Sequence, residues 1–313
     1  MNYYPIVIPT LCRFEHFKRC IESLLKNTHV EKTELIIGLD YPAKEEHWDG
    51  YNKIHNYISN INGFKKITVL KRESNYGAEA NSTDLANYAF SKYEAYIFTE
   101  DDNEFSPCFL DFMNKALSLY KDEPQITSVC GYTAFDYENI KKKGVIFTHD
   151  NCGWGMGVWR NKDVDINDME FHRQLWNSTC KYWTLYLKAP AIASMLAAMI
   201  QKQALWGDVM RTVKNIKNET FQVRPYNSMV RNWGYDGTGL HCTVIDEKME
   251  KQKILENTTF ILCPDEEIKN SLPFFTEFYF QYSHNRFKAL YSIFRTALSI
   301  IRVRLKLSTK TTK

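Results

Sequence analysis

Three adjacent carboxylates, Glu100, Asp101 and Asp102, directly follow an apolar run of strand-forming residues, Ala95 to Thr99, and precede Pro107 and a helical pattern. Such a trio cannot sit inside a sheet without a large desolvation cost. It must project from the strand's C-terminal end, where open α/β sheets bind their ligands. Hard oxygen donors at that place suit Mg2+ or Mn2+, and the usual client of such an ion is a diphosphate. The competing reading is a solvated acidic turn, a common feature with no chemistry of its own.

The elements that would carry this trio alternate. Pro5 to Pro9 is a short apolar run, and Phe14, Phe17, Ile21, Leu24 and Leu25 then recur at helical spacing. Leu35 to Leu39 reads as a second buried strand ending at Asp40, and Ile67 to Leu70 as a third. A helix over Ala78 to Phe90 leads into the strand that delivers the carboxylates. Alternating β and α elements with continuous apolar strands specify an α/β fold, a mostly parallel sheet covered by helices on both faces.

Strand ends in such a sheet gather on one edge, so Thr10 and Arg13 after the first strand and Asp40 after the second can meet the acidic trio. Arg13 suits a phosphate, and Asp40 suits the hydroxyls of a ribose or the edge of a base. Each has a plainer reading: Thr10 as a helix cap, Arg13 as a surface charge, Asp40 as a turn residue before Pro42.

Composition narrows the class. The chain of 313 residues is 44% hydrophobic and 14% aromatic, enough to bury a sizeable core. Its net charge of +3 does not point to nucleic acid. Eight cysteines lack any CxxC spacing, so they read as core residues of a reducing compartment and not as zinc ligands or a disulfide framework. The first strand begins within a few residues of Met1, leaving no room for a signal peptide, and the most apolar helical stretch, Ala189 to Ile200, is too short to span a bilayer. A cytoplasmic location is expected.

VIPTLCRFEHFKRCIESLL at Val7 to Leu25 resembles the opening strand and helix of GT-A (Rossmann-like) glycosyltransferases, and YIFTEDDNEFSP at Tyr96 to Pro107 resembles their acidic metal motif in its Glu-Asp-Asp form. That form is typical of the N-acetylglucosaminyltransferase I group. Further on, LWGDVMR at Leu205 to Arg211 and VRPYNSMVRNWGYDGTGLHC at Val223 to Cys242 resemble the group's Trp-Asp-Asp-Trp-Met-Arg helix and its following Arg-Pro strand and glycine loop. The resemblance covers about residues 3 to 245, and small bacterial sugar transferases of surface-polysaccharide pathways share the layout. It implies Asp102 as the direct ligand of Mn2+ or Mg2+, with Glu100 and Asp101 on sugar or ribose hydroxyls. Asp208 falls at the position of the catalytic base. Gly207 stands where the animal motif has an acidic residue, which leaves Asp208 as the lone carboxylate there.

Glycosyl transfer with inversion needs a base for the acceptor hydroxyl and a cation to offset charge on the departing diphosphate. Asp208 early in a helix is the nominee, a carboxylate satisfying the helix dipole being the plainer reading, and Glu170, Asp150 and Asp236 are the fallbacks. NCGWGMGVWR at Asn151 to Arg160 resembles the acceptor-side loop of this fold. Trp154 and Trp159 offer faces to a sugar there, and Gly155 permits close backbone approach, a glycine turn with core tryptophans being the equal alternative. The loop from Asn232 to His241 can open and close over a nucleotide, and His241 is a candidate second ligand of the ion.

From Asn285 to Lys313 there is no acidic residue, while eight are basic. Phe287, Leu290, Tyr291, Phe294, Leu298, Ile301 and Leu305 share one helical face, the pattern of an amphipathic basic helix lying on an anionic membrane. A helix docked on the rest of the protein is the alternative. RNA binding is disfavoured, since the aromatic residues lie on the apolar stripe and are not interleaved with the charges.

These readings predict a GT-A domain over 1–284, with a nucleotide half over about 1–105 and an acceptor half over about 106–284, followed by a basic tail at 285–313. The expected activity is metal-dependent transfer of a sugar from a nucleotide donor, a UDP-sugar by preference, to a saccharide or lipid-linked saccharide. The protein would then be peripheral to the inner face of the membrane. A sugar-nucleotide nucleotidyltransferase is the first rival, disfavoured because Pro9 to Phe14 holds no glycine for a phosphate loop. A catalytically silent glycan-binding subunit is the second.

Overall fold

The computed structural model describes residues 3–133, 144–163, 169–202, 204, 206–238, 252, 254, 262 and 286–311. They fall into two compact units, one drawn from 1–146, 152–163 and 223–264, the other from 147–151, 164–222 and 265–313.

The first unit is built on β1 (Ile6–Thr10), α1 (Phe14–Leu25), β2 (Glu34–Leu39), α2 (Trp48–Ile58), β3 (Lys66–Lys71), α3 (Gly77–Lys92), β4 (Ala95–Phe98), β5 (Asn103–Phe105), α4 (Phe109–Leu119) and β6 (Ile126–Cys130). Two further strands of the chain are β7 (Val145–Thr148) and β8 (Met156–Trp159). Every residue of β2 is buried and β1 nearly so, as expected of strands flanked on both sides in a covered sheet. With β9 (Phe221–Pro225), the sheet runs β3-β2-β1-β4-β8-β6-β9-β7. β1 pairs parallel with β2 and β4, and β2 pairs parallel with β3. β8 is antiparallel to both β4 and β6, which makes β4 and β6 point the same way. The sheet is therefore mixed and mostly parallel, as the alternation of apolar runs and helices requires.

β3 departs from the expected third buried strand. It lies at the sheet's end with one neighbour, and each of its residues is exposed or half-buried. Lys66 and Lys71 at its ends are exposed, a charge pattern that discourages pairing with another chain. Helix α3 presses closely on the sheet: a Cβ at Gly38 would stand 2.5 Å from Leu85 Cδ1 and 2.7 Å from Asn81 Oδ1. Asn81, which is buried, donates to the Gly38 carbonyl in return.

The second unit is mainly helical where described, with α5 (Met169–Asn177), α6 (Thr179–Lys188), α7 (Pro190–Lys202), α8 (Gly207–Asn218) and α9 (Arg286–Thr311). Trp176, Tyr182, Leu196, Met210 and Ile300 belong to its core. The Tyr182 hydroxyl is buried and donates to the Ala193 carbonyl, which satisfies the one polar group of that side chain. Burial raises the Tyr182 phenol well above its usual range. Among the described residues no helix is long and apolar enough to cross a membrane.

Candidate functional site

The acidic trio stands where the sequence places it, in the turn between β4 and β5 at the C-terminal edge of the parallel strands. Thr10, the last residue of β1, donates its hydroxyl to Asp101 Oδ2 at 2.8 Å. Arg13, three residues on, donates to the other oxygen of Asp101 and reaches Asp102 Oδ2 at 2.9 Å. Thr10 is thus a partner of the acidic turn and not a helix cap, and Arg13 is an internal counter-ion and not a solvated surface charge. Burial pushes the Asp101 carboxyl up, with the neighbouring Asp102 adding to the shift and Arg13 and Thr10 opposing it. The Arg13 guanidinium is also shifted upward: burial works against its charge, and the two carboxylates more than compensate. Burial beside the same pair raises the Cys20 thiol far above its usual value, so this cysteine is a core residue.

Trp154, between β7 and β8, donates its indole N–H to Glu100 Oε2 at 3.0 Å, so it joins the same cluster. Its ring meets Tyr132 and Tyr235 edge-on. Gly155 takes φ +68, a backbone conformation that glycine adopts freely, and its carbonyl accepts from Gly131 N–H. Trp159 lies elsewhere. It ends strand β8, is buried, and donates to the Leu117 carbonyl, so its indole is part of the core and offers no face to a sugar.

Three residues of the loop beginning at Asn232, none singled out by its sequence, complete the cluster. Asn232, the last residue of β10 (Val230–Asn232), donates to Asp102 Oδ1 at 2.7 Å and to Asn103 Oδ1 at 2.9 Å. β10 pairs antiparallel with β5, which brings the 232–236 loop onto the acidic turn. Trp233 N–H donates to the Asp102 carbonyl, and its indole donates to Glu104 while Arg19 and Arg231 stand over the ring. A Cβ at Gly234 would lie 2.3 Å from Asp102 Oδ2, so only glycine fits against that carboxylate. Further along, Asp236 is held by His16 at 2.9 Å and by Thr238. Burial pushes the Asp236 carboxyl upward, but the bonds from Thr238 and His16 outweigh it and lower the value.

Asp40 reaches the same edge with its capacity already engaged. Its backbone N–H bonds to the Thr10 carbonyl, and its carboxylate accepts from the N–H groups of Tyr41, Tyr76 and Gly77. The last two open α3, so Asp40 satisfies donors at the positive end of that helix. A cavity of about 590 Å³, lined by Tyr3, Tyr4, Lys32, Lys65, Lys92 and Glu94 among others, lies at the opposite edge, before the strands, and is remote from the carboxylates.

In the second unit, Asp208 sits in the first turn of α8. Asn151 donates to its Oδ1 at 3.2 Å, and Gln222 in turn donates to Asn151 Oδ1 at 3.1 Å. The Asn151 N–H is held by Thr212 Oγ1, whose hydroxyl bonds back to the Asp208 carbonyl. A relay of neutral amides thus fixes one face of this carboxylate. Of the fallback acids, Glu170 is exposed and bonded to Gln174 on α5, and Asp150 lies beside Thr148.

His241 lies outside the described residues. Among those described, no three His, Cys, Asp or Glu side chains converge as an ion cage. Asp102 offers one carboxylate next to Asp101 and Glu100, with its Oδ2 paired to Arg13 and set against the backbone of Gly234. That donor set suits an ion that arrives with most of its ligands supplied by a diphosphate and water, as Mg2+ characteristically does, and does not suit a structural ion held by protein alone.

No family model matches the chain, and no curated protein does. Solved structures give partial likenesses. S. aureus TarS is 16% identical over 46% of this chain and 22% of its own, with a TM-score of 0.31. A S. aureus TarS structure in complex with UDP-GlcNAc is 16% identical over 46% of this chain and 35% of its own, at 0.30. The mannosyltransferase PcManGT from Pyrobaculum calidifontis, in complex with GDP-Man and Mn2+, is 13% identical over 55% of this chain and 51% of its own, at 0.37. The chain spans between about a fifth and a half of the lengths of these proteins.

Proposed function

We propose that the protein is a glycosyltransferase that takes a sugar from a nucleotide diphosphate donor, a UDP-sugar by preference, and passes it to a saccharide or lipid-linked acceptor. The observation that carries this reading is the convergence of Thr10, Arg13, Trp154 and Asn232 on the acidic turn Glu100–Asp102 at the C-terminal edge of the sheet. Parallel sheets bind nucleotides at that edge. The two sequence motifs that resemble GT-A enzymes fall on β1 with α1 and on the end of β4, the elements that build the cluster.

In this reading Asp102 holds the divalent ion, which when bound offsets the negative charge gathering on the departing diphosphate. Arg13 has a bidentate fork that can leave the carboxylates for a phosphate, exchanging one anionic partner for another. Glu100 and Asp101 accept from sugar or ribose hydroxyls, while Thr10 keeps Asp101 oriented. Asp40 supports the nucleotide side through α3 and the Thr10 carbonyl. Trp154 is the acceptor-side wall, with Gly155 allowing close approach of the backbone. Asp208, oriented by Asn151, takes the proton from the acceptor hydroxyl. Single displacement by that hydroxyl inverts the anomeric centre.

The test is a screen of nucleotide sugars for hydrolysis and for protection against heat, with and without Mn2+. Protection by one nucleotide sugar that requires Mn2+ and disappears in a folded Asp102→Asn variant is the expected result. Equal Mn2+-dependent affinity for UDP in that variant rejects the assignment of Asp102, and protection by no nucleotide sugar rejects the activity.

A further inference from the structure

Helix α9 presents three different surfaces around its axis. The first is docked on α7: Ile300 is buried in the second unit's core, with Ala297 and Val303 against it. Arg304 locks this side, donating to the Trp176 carbonyl and to Thr179 Oγ1, with its guanidinium over the rings of Trp176 and Tyr182. The second surface is apolar and exposed. Tyr291, Phe294, Leu298, Ile301 and Leu305 recur at spacings of three and four, and they are 63%, 61%, 39%, 41% and 62% exposed. The third carries Arg295 and Arg302, both exposed, at one edge of that stripe.

Docking on α7 uses one side of the helix and leaves a stripe of five apolar residues exposed among the described residues. Single exposed apolar residues are ordinary, but five in helical register on one face mark a contact surface. Its occupant is constrained by charge. The segment from Asn285 to Lys313 has no acidic residue and eight basic ones, of which Arg304 alone is spent on the docked side among the residues whose side chains are described. A second copy seated on the stripe would bring Arg295 and Arg302 against the same positive edge, an arrangement that opposes pairing. An anionic lipid surface complements the edge and accepts the apolar side chains at the acyl boundary.

We propose that α9 is a membrane-surface foot: its Ile300–Arg304 side is fixed to α7, and its Tyr291–Leu305 stripe lies in the interface of an anionic bilayer. The inference stands on the helix alone and holds whether or not the acidic turn transfers sugars.

The full chain would be sedimented with vesicles of phosphatidylcholine alone and with vesicles containing phosphatidylserine. Expected are binding to the anionic vesicles only, weakening with salt, and a loss of at least about tenfold in affinity for Phe294→Glu with Leu298→Glu, two apolar contacts removed together. Both positions are exposed, so the thermal midpoint should not move. Arg295→Gln with Arg302→Gln should reduce binding and flatten its salt dependence. Absence of anionic vesicle binding in the wild type overturns the proposal, as does unchanged binding in the Glu variant. So does a wild-type dimer that the Glu variant converts to monomer, because the stripe then belongs to a second copy. A large fall in the midpoint of the Glu variant overturns it too, by showing the stripe to be packed inside the protein.

Discussion

Asn232 donates its side-chain amide to Asp102 across 130 positions of sequence, at 2.7 Å and within a buried setting. The same amide serves Asn103, and the Asn232 Oδ1 accepts the Gly234 N–H, so one side chain fixes the acidic turn and the loop that covers it. Asn232→Leu keeps the volume and removes these bonds. Leaving Asp102 and Asn103 without that donor should lower unfolding free energy by about 1–3 kcal/mol. Urea denaturation measures this, and a variant as stable as the wild type rejects the structural role.

The elements around this pair were readable to different degrees, for physical reasons. β1 and β2 announce themselves because almost every residue is apolar and buried, and β4 because its run stops abruptly at three carboxylates. The gathering of Thr10, Arg13 and Asp101 followed from strand ends sharing one edge. The contact of Asn232 with Asp102 did not, since it rests on pairing between β5 and β10, two strands of three residues each that are too short to show periodicity. For a related reason the sequence leaves Trp159 open between a sugar face and the core, where the structure puts it. β8 is an antiparallel strand inserted between β4 and β6, and its sequence, MGVW, carries no local sign of that burial. His16 with Asp236 and the Asp40 cap likewise depend on which helix starts beside which loop, information that resides in the tertiary fold.

Arg13 is the only described cation that touches both Asp101 and Asp102, and its partners' side chains are 7% and 8% exposed. Removing it strands two buried negative charges, which costs more than the pair itself contributes. Arg13→Met should destabilise the fold by about 3–5 kcal/mol at neutral pH. Arg13→Lys keeps a charge but loses the fork, so it should recover part of the stability and little of the nucleotide affinity. Chemical denaturation and UDP binding read the two effects apart, and a Lys variant that binds UDP as the wild type does would falsify a phosphate role for the fork.

Asp208 and Trp154 separate chemistry from recognition. Asp208→Asn keeps a group that fits beside Asn151 while removing the base, so transfer should fall by about 10²–10⁴ with donor affinity near the wild-type value. A variant that retains more than about a third of the normal rate moves the role to Glu170 or Asp236. Trp154→Ala should raise the acceptor concentration needed for half-maximal rate more than it changes donor hydrolysis. Because the indole also holds Glu100, some loss of donor affinity accompanies it. Trp154→Phe, with the ring and without the N–H, isolates that second effect.

Tyr93 and Glu34 give the stability of the first unit two distinct pH limits. The Glu34 carboxylate accepts from Thr68 Oγ1 at 2.6 Å, from the Tyr93 hydroxyl and from Lys66 Nζ at 3.3 Å. Burial pushes the Tyr93 phenol up to about 12, with the bond to Glu34 adding to it. Glu34 moves down, because the bonds from Thr68, Tyr93 and Lys66 outweigh its own burial. A phenol raised in the folded state favours the neutral form there, so its contribution is whole below its ordinary value of 10.0 and lost as pH climbs towards about 12. A carboxyl lowered in the folded state contributes above its ordinary value of 4.5, and that contribution is lost as pH falls through the folded value. Tyr93→Phe should therefore flatten the decline of the urea midpoint on the alkaline side and leave most of the acid side in place. Glu34→Gln should flatten the acid side, and it should also let Tyr93 ionise earlier in a near-ultraviolet titration. Parallel alkaline slopes for wild type and Tyr93→Phe would show that the phenol is not held by Glu34 in solution.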